Sequence, residues 1–287
     1  MSTECLELNR SQVTIRLPNG LSLFLTKPNL AALEYPTRRI QRGLIIASNS
    51  GELGEEGTGF GLPLVRFGNE TIFPGDASVS TQRDGNQVGI RVSYNLNLIL
   101  RRSLRSGRTI ESPLFYRIDE FFSRLHRQQP LSRDILIWAS YPIKLFCGMY
   151  TSFRQIDSFG SVIVKYDILV DEGVIHTSLD LSGLKRDGCT EIIVANEQGA
   201  NHFDLYRDSD GLFLRGKEIG SWHETLADTA SLAGSRDGIS FSIDRIAGAR
   251  LFRGRELAVN RLAWAGLNYV LPGNTANFAY DIKVGAP

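Results

Sequence analysis

From Val88 to Leu100 every second residue is apolar: Val88, Ile90, Val92, Tyr94, Leu96, Leu98 and Leu100. A period of two puts these side chains on one face of an extended chain, so this stretch predicts a long strand with one face in a core. The pattern recurs. Val13, Ile15 and Leu17 face Leu21, Leu23 and Leu25 across Pro18-Asn19-Gly20, a turn in which Asn-Gly accepts positive φ. The runs 161–170 and 173–181 read as two further long strands around Asp171-Glu172-Gly173. Shorter runs are expected near 43–47, 62–67 and 71–73, and after residue 134 at 135–140, 143–147, 190–195, 202–206, 211–219, 239–244, 256–264 and 276–284. Many strands between closely spaced turns favour a large antiparallel β-sandwich over a parallel α/β sheet. We expect an all-β fold, residues 1–287 forming one sandwich domain, with one or two short helices.

Two segments depart from this period. Ser112-Pro113 followed by Leu114, Phe115, Ile118, Phe121, Phe122 and Leu125 predicts a helix that Pro130 ends. Ser221-Trp222-His223-Glu224 has the form of a capping box and predicts a second helix that stops at Gly234.

Composition narrows the function classes. Forty-two per cent hydrophobic and 22% charged residues are ordinary for a packed protein. The net charge of +1 gives no general field for a nucleic acid. The exception is local: residues 101–133 carry eight arginines against Glu111, Asp119 and Glu120, a surface suited to a polyanion. No stretch is long and apolar enough to span a bilayer. The opening MSTECLELNRSQ lacks a basic then apolar leader, so the cytoplasm is the expected compartment. Cys5, Cys147 and Cys189 are odd in number and far apart, which argues against a disulfide framework or a cysteine zinc site. No cofactor is implied, and nothing sets an oligomeric state.

Several motifs fail on their details. The glycine cluster 51–61 lacks both the third glycine of a dinucleotide loop, Leu62 standing there, and the Gly-Lys-Ser/Thr of a phosphate loop, so it reads as a surface loop or the rim of a cleft. Asp208-Ser-Asp210-Gly211 would need carboxylates at Tyr206 and Lys217 to be a calcium loop, and reads as a hairpin turn. The histidines 126, 176, 202 and 223 show no metal-ligand spacing.

His202 is the informative one. It follows the apolar run Ile192-Ile193-Val194 in the segment Asn201-His202-Phe203-Asp204-Leu205-Tyr206, where polar and aromatic groups emerge at the end of a strand. Imidazole titrates near neutral pH and can protonate an oxygen, while an aromatic neighbour can stack on a sugar face. This segment, the two long strands before it and the all-β length resemble the galactose mutarotase-like proteins, the aldose epimerase relatives with a β-supersandwich fold. The resemblance covers residues 160–210. It implies His202 as general acid towards the ring oxygen of a sugar and a late glutamate as base. After residue 220 only Glu224 and Glu256 are of that type, and the family's earlier histidine has no counterpart here. Asn201, Phe203, Tyr206, Trp222, His176 and Arg83 are the accompanying candidates for contact with a small sugar or oligosaccharide.

Two other classes stay open. One is a non-catalytic interaction protein that uses a sheet edge, the glycine loop or the arginine-rich 101–133 surface. The other is a metal-dependent hydrolase, with Asp76, Asp84, His176 and Asp204 converging in space.

Overall fold

The computed structural model describes residues 6–8, 12–26, 41–48, 51–52, 57–68, 70–104, 149–236, 238–257 and 263–285. The helix expected over 112–129, the strands expected over 135–147 and most of the arginine-rich segment lie outside them.

Among the described residues the chain is nearly all strand, in two antiparallel sheets. The smaller has five strands: β1 (Leu6–Leu8), β2 (Gln12–Arg16), β3 (Leu21–Thr26), β4 (Ile45–Ser48) and β5 (Gly51–Glu52), in sequential order. The hairpin between β2 and β3 turns as its sequence requires: Gly20 has φ 79°, and the Leu21 amide donates to Asn19 Oδ1 at 3.1 Å.

The larger sheet holds β6 (Gly59–Phe67), β7 (Glu70–Asp84), β8 (Gln87–Leu104), β9 (Met149–Gln155), β10 (Ser161–Leu169), β11 (Val174–Asp180) and β12 (Cys189–Gly199). It continues with β13 (Leu205–Asp208), β14 (Phe213–Arg215), β15 (His223–Thr225), β16 (Thr229–Ala233) and β17 (Ser240–Asp244). The last three strands are β18 (Arg250–Leu257), β19 (Ala263–Pro272) and β20 (Asn277–Gly285). Their order is β14-β13-β16-β17-β20-β11-β10-β8-β7-β6-β12-β19-β18-β15, with β9 paired to β8.

This sheet folds over on itself. Tyr269 of β19 packs edge-on against Phe278 and Tyr280 of β20, at ring distances of 5.0 and 4.9 Å, and Phe60 of β6 meets Phe241 of β17 at 5.0 Å. Strands far apart in the order thus face each other across a core of fully buried aromatics, Tyr94, Tyr166, Tyr269, Phe203 and Phe241 among them. Such rings carry the largest apolar areas available to a chain, and edge-to-face contact adds to their burial. The two edge strands, β14 and β15, are consecutive in the chain and joined through a 3-10 turn at Gly216–Ile219. The Tyr206 hydroxyl of β13 donates to Thr225 Oγ1 of β15 at 3.1 Å, and the Arg253 guanidinium of β18 lies 5.1 Å from the Tyr206 ring. The seam between the edges is therefore closed by side chains.

The helix expected from Ser221 does not form. β15 and β16 occupy its span, with Ala230 and Leu232 buried at period two. Trp222 has φ 56°, a left-handed conformation that a helix cannot contain, and the backbone of 223–225 pairs with β18 instead. The strand expected over 256–264 is two, β18 and β19, and the strand expected over 202–206 begins only at Leu205.

Candidate functional site

The strands β8, β10, β11 and β20 lie side by side, and their alternation sorts side chains cleanly. Val92, Tyr94, Val164, Tyr166, Ile175, Leu179, Tyr280 and Ile282 point into the core. The other face is polar and open. Register aligns its side chains in rows across the strands. One runs Ser93, Ile163, Asp180, Asn277; the next Arg91, Lys165, Ser178, Ala279; the third Gly89, Asp167, His176, Asp281.

The first two rows shape a shallow open groove of about 370 Å³, lined by Ile163, Lys165, Ser178, Asp180, Asn277 and Ala279. Asp180 is fixed at its edge: the carboxylate accepts from the Ser182 amide at 3.0 Å and the Ser182 hydroxyl at 2.6 Å. These bonds hold its pKa below the ordinary carboxylate value, with smaller help from Lys165 and Arg91. In the third row His176 Nδ1 lies 2.6 Å from Asp281 Oδ1, both side chains about half exposed. The groove can thus offer carboxylate acceptors, an amide and an ammonium donor around a small apolar floor of Ile163 and Ala279.

Of the residues expected from sequence, His176 stands on this open face. The others lie elsewhere. Arg83 is at the exposed tip of the β7–β8 hairpin, its Nε donating to Gly85 O at 3.3 Å. Phe203 and Tyr206 are wholly buried, so neither presents a face to a ligand in solvent. Asn201 and the half-buried His202 form a turn after β12, with the His202 amide bonded to Gly199 O at 3.1 Å. Gly199, Trp264 and Glu256 are aligned across β12, β19 and β18. The Arg255 guanidinium donates twice to Ala200 O, at 3.2 and 3.1 Å, which pins this turn to β18. Trp222 packs between Phe252 and Trp264, at ring distances of 5.9 and 6.0 Å. Asn201, His202, Trp222 and Glu256 therefore share one end of the β12–β19–β18 ladder. Glu224 is apart from them. It sits opposite Phe252, about 13 Å along β18 from Glu256, and is held by Arg250 at 2.9 Å.

The acidic groups weighed as metal ligands are engaged separately: Asp76 accepts from Asn97 at 2.7 Å and Asp204 from the Ser235 hydroxyl at 2.7 Å. Among the described residues no three His, Cys, Asp or Glu side chains converge as a metal site.

A buried polar cluster escaped the sequence reading. Asn196, Glu197, Gln198 and Asn268 are all buried. Asn196 Oδ1 accepts from the Gly61 amide at 3.0 Å and the Tyr280 hydroxyl at 2.6 Å, while its Nδ2 donates to Leu267 O at 3.0 Å. Glu197 accepts from the Thr58 hydroxyl at 2.8 Å and from Asn268 Nδ2 at 2.9 Å. Burial raises its pKa, and these two bonds offset part of the rise. Gln198 accepts from the Ile46 amide at 3.0 Å and donates to Leu44 O at 3.1 Å, so its side chain ties the smaller sheet to the larger. The available signal was Asn-Glu-Gln running straight on from Ile192-Ile193-Val194-Ala195.

No family model and no curated sequence matches the chain. Its likenesses are structural. An α-N-acetylgalactosaminidase from Bifidobacterium bifidum superposes with a TM-score of 0.43 at 7% identity, over 98% of this chain and 36% of that one. A GH36 α-galactosidase from Geobacillus stearothermophilus gives 0.45 at 7% identity, over 98% of this chain and 41% of that one. A "putative aldose 1-epimerase" from Klebsiella pneumoniae gives 0.40 at 10% identity, over 96% and 79%. The chain spans well under half the length of the two glycosidases. At these scores no residue here takes a role from theirs. No helix among the described residues is long and apolar enough to cross a membrane.

Proposed function

We propose that this protein binds a saccharide on the open face of β8, β10, β11 and β20. The observation that carries the reading is the groove itself, where Lys165, Asp180 and Asn277 stand around Ile163 and Ala279. A sugar presents hydroxyls around its ring edge and C–H groups on its faces. Carboxylate, amide and ammonium side chains answer the first, and a small apolar floor answers the second. Asp180 is held in place by Ser182, so little freedom is lost when it accepts a hydroxyl.

The test is ligand-observed NMR with a panel of aldohexoses and short oligosaccharides. Asp180→Asn and Asn277→Ala should each weaken binding roughly tenfold, the scale of one lost hydrogen bond to a charged or well-placed group. Equal binding in the parent and both variants would remove the groove as the site.

A second reading keeps His202 as a general acid, with Glu256 as the base of an epimerase-like reaction on a sugar. It is favoured by Arg255, which holds the His202 turn against β18 close to Glu256 in sequence. Polarimetry of sugar mutarotation decides it: His202→Ala should abolish any catalysed rate, and an unaltered rate would end the proposal.

A further inference from the structure

Building on the saccharide reading of the same groove, we propose that the ligand is an anionic saccharide, one bearing a carboxylate or phosphate held between Arg91 and Lys165. These two cations are direct partners across β8 and β10. Like charges directly opposite on one face oppose strand pairing, so a row that places two together needs a reason. The Asp180 carboxylate of the next row attracts both cations but is itself hydrogen-bonded to Ser182. Neither side chain forms a salt bridge among the described residues. Their neighbours in the row are short: Ser80 beyond Arg91 on β7, then Ser178 and Ala279 beyond Lys165. Lys165 lines the groove, and Arg91 is its neighbour in the same row.

Two carboxylates of the flanking rows are hydrogen-bonded to other groups. Asp180 is bonded to Ser182, and Asp281 to His176. Asp167 leans across β8 to Gly89, its Oδ1 3.4 Å from where a β-carbon would sit there. This arrangement divides the labour of recognition. The cationic row takes the anionic group, with the guanidinium fork suited to two oxygens of a carboxylate or phosphate and the ammonium acting as a point charge. The carboxylate and amide of the next row, Asp180 and Asn277, take ring hydroxyls. A neutral sugar would leave the guanidinium unused.

The experiment is calorimetry of the whole protein at low salt with neutral aldohexoses, the corresponding uronates, the corresponding 6-phosphates, and inorganic phosphate. Uronates or sugar phosphates should bind at least tenfold more tightly than their neutral parents. Arg91→Gln should erase roughly tenfold of that preference while leaving neutral-sugar binding unchanged, and Lys165→Gln, at a residue that also lines the groove, should weaken anionic ligands roughly tenfold more than neutral ones. The more tightly bound series names the anionic group. Neutral sugars binding as tightly as charged ones would overturn the anion inference and leave the saccharide reading standing. Inorganic phosphate binding as tightly as any sugar phosphate would overturn the saccharide part of the inference. Binding of no sugar at all would overturn both. Both substitutions are on the solvent face, and thermal melting of each variant confirms that it is folded.

Discussion

The open face of β8, β10, β11 and β20 and the buried cluster on β12 are both rows of polar side chains on the same sheet, and they differ in what completes them. On β12, Asn196, Glu197 and Gln198 find their partners inside the protein: Gly61, Tyr280, Leu267, Thr58, Asn268, Ile46 and Leu44. On the open face, Arg91 and Lys165 stand opposite each other without an ion pair among the described residues. A buried polar group must be satisfied within the fold or the fold pays for it. An exposed one meets water at no such cost, and its unused capacity is available to a ligand. We infer that the first region is a stability element and the second a recognition element.

If that distinction is right, the largest effect on stability comes from the β12 cluster. Asn196→Leu fills the space but leaves the Gly61 amide, the Tyr280 hydroxyl and the Leu267 carbonyl without their bonds. At about 1–3 kcal/mol for each buried group left unsatisfied, the loss should exceed about 3 kcal/mol, read as a drop in the urea midpoint. Gly61 itself accepts no side chain: it has φ +73°, and a β-carbon there would lie 2.8 Å from the Tyr166 hydroxyl. A midpoint within error of the parent would show that the cluster is not a stability element.

The same comparison shows what the sequence could and could not disclose. Val88–Leu100 and the runs 161–170 and 173–181 announced their strands because one face meets a core and the other meets water. The register that sets Arg91 against Lys165 was not legible, since it depends on which strands pair, and β10 pairs with β8 and β11 but β20 returns from the far end of the chain to pair with β11. β12 was read only as far as residue 195 because Asn-Glu-Gln resembles the end of a strand. It continues to Gly199, since both of its neighbours, β6 and β19, run on beside it. Phe203 and Tyr206 looked like stacking surfaces for a sugar, but the folding-over of the sheet turns them into the core, a long-range event with no local signature. At Ser221 the local helix pattern lost to pairing with β18, through a residue, Trp222, whose positive φ no propensity would have chosen.

A middle-sized effect sharpens the account of Glu197 and has a definite sign. Burial raises its pKa above the ordinary glutamate value of 4.5. Above that pH the unfolded chain gives up the proton while the folded chain keeps it, so the folded state binds more protons and stability falls as pH rises through the folded pKa. Asp180 and Asp204, whose pKa values are lowered, act in the opposite direction, losing stability as pH falls. Urea midpoints measured at several pH values for the parent and for Glu197→Gln separate these. The difference between the two proteins should shift in favour of the glutamine variant as pH rises from about 4. A difference independent of pH would mean that Glu197 titrates alike in both states.

The smallest effect is the one that tests the open face as a recognition element in the absence of any ligand. Replacing one of two like charges directly opposite on a strand pair removes a repulsion worth a few tenths of a kcal/mol, so Arg91→Gln should leave stability unchanged or raise it slightly. Screening shortens the reach of charges on an exposed face, so that gain should shrink as salt is added. A residue whose removal stabilises the fold is not retained by the fold. Should Arg91→Gln instead lower the unfolding free energy by about 1 kcal/mol or more, read from the urea midpoint and slope, the guanidinium would have a structural role, and the cationic row would belong with β12 rather than with the groove.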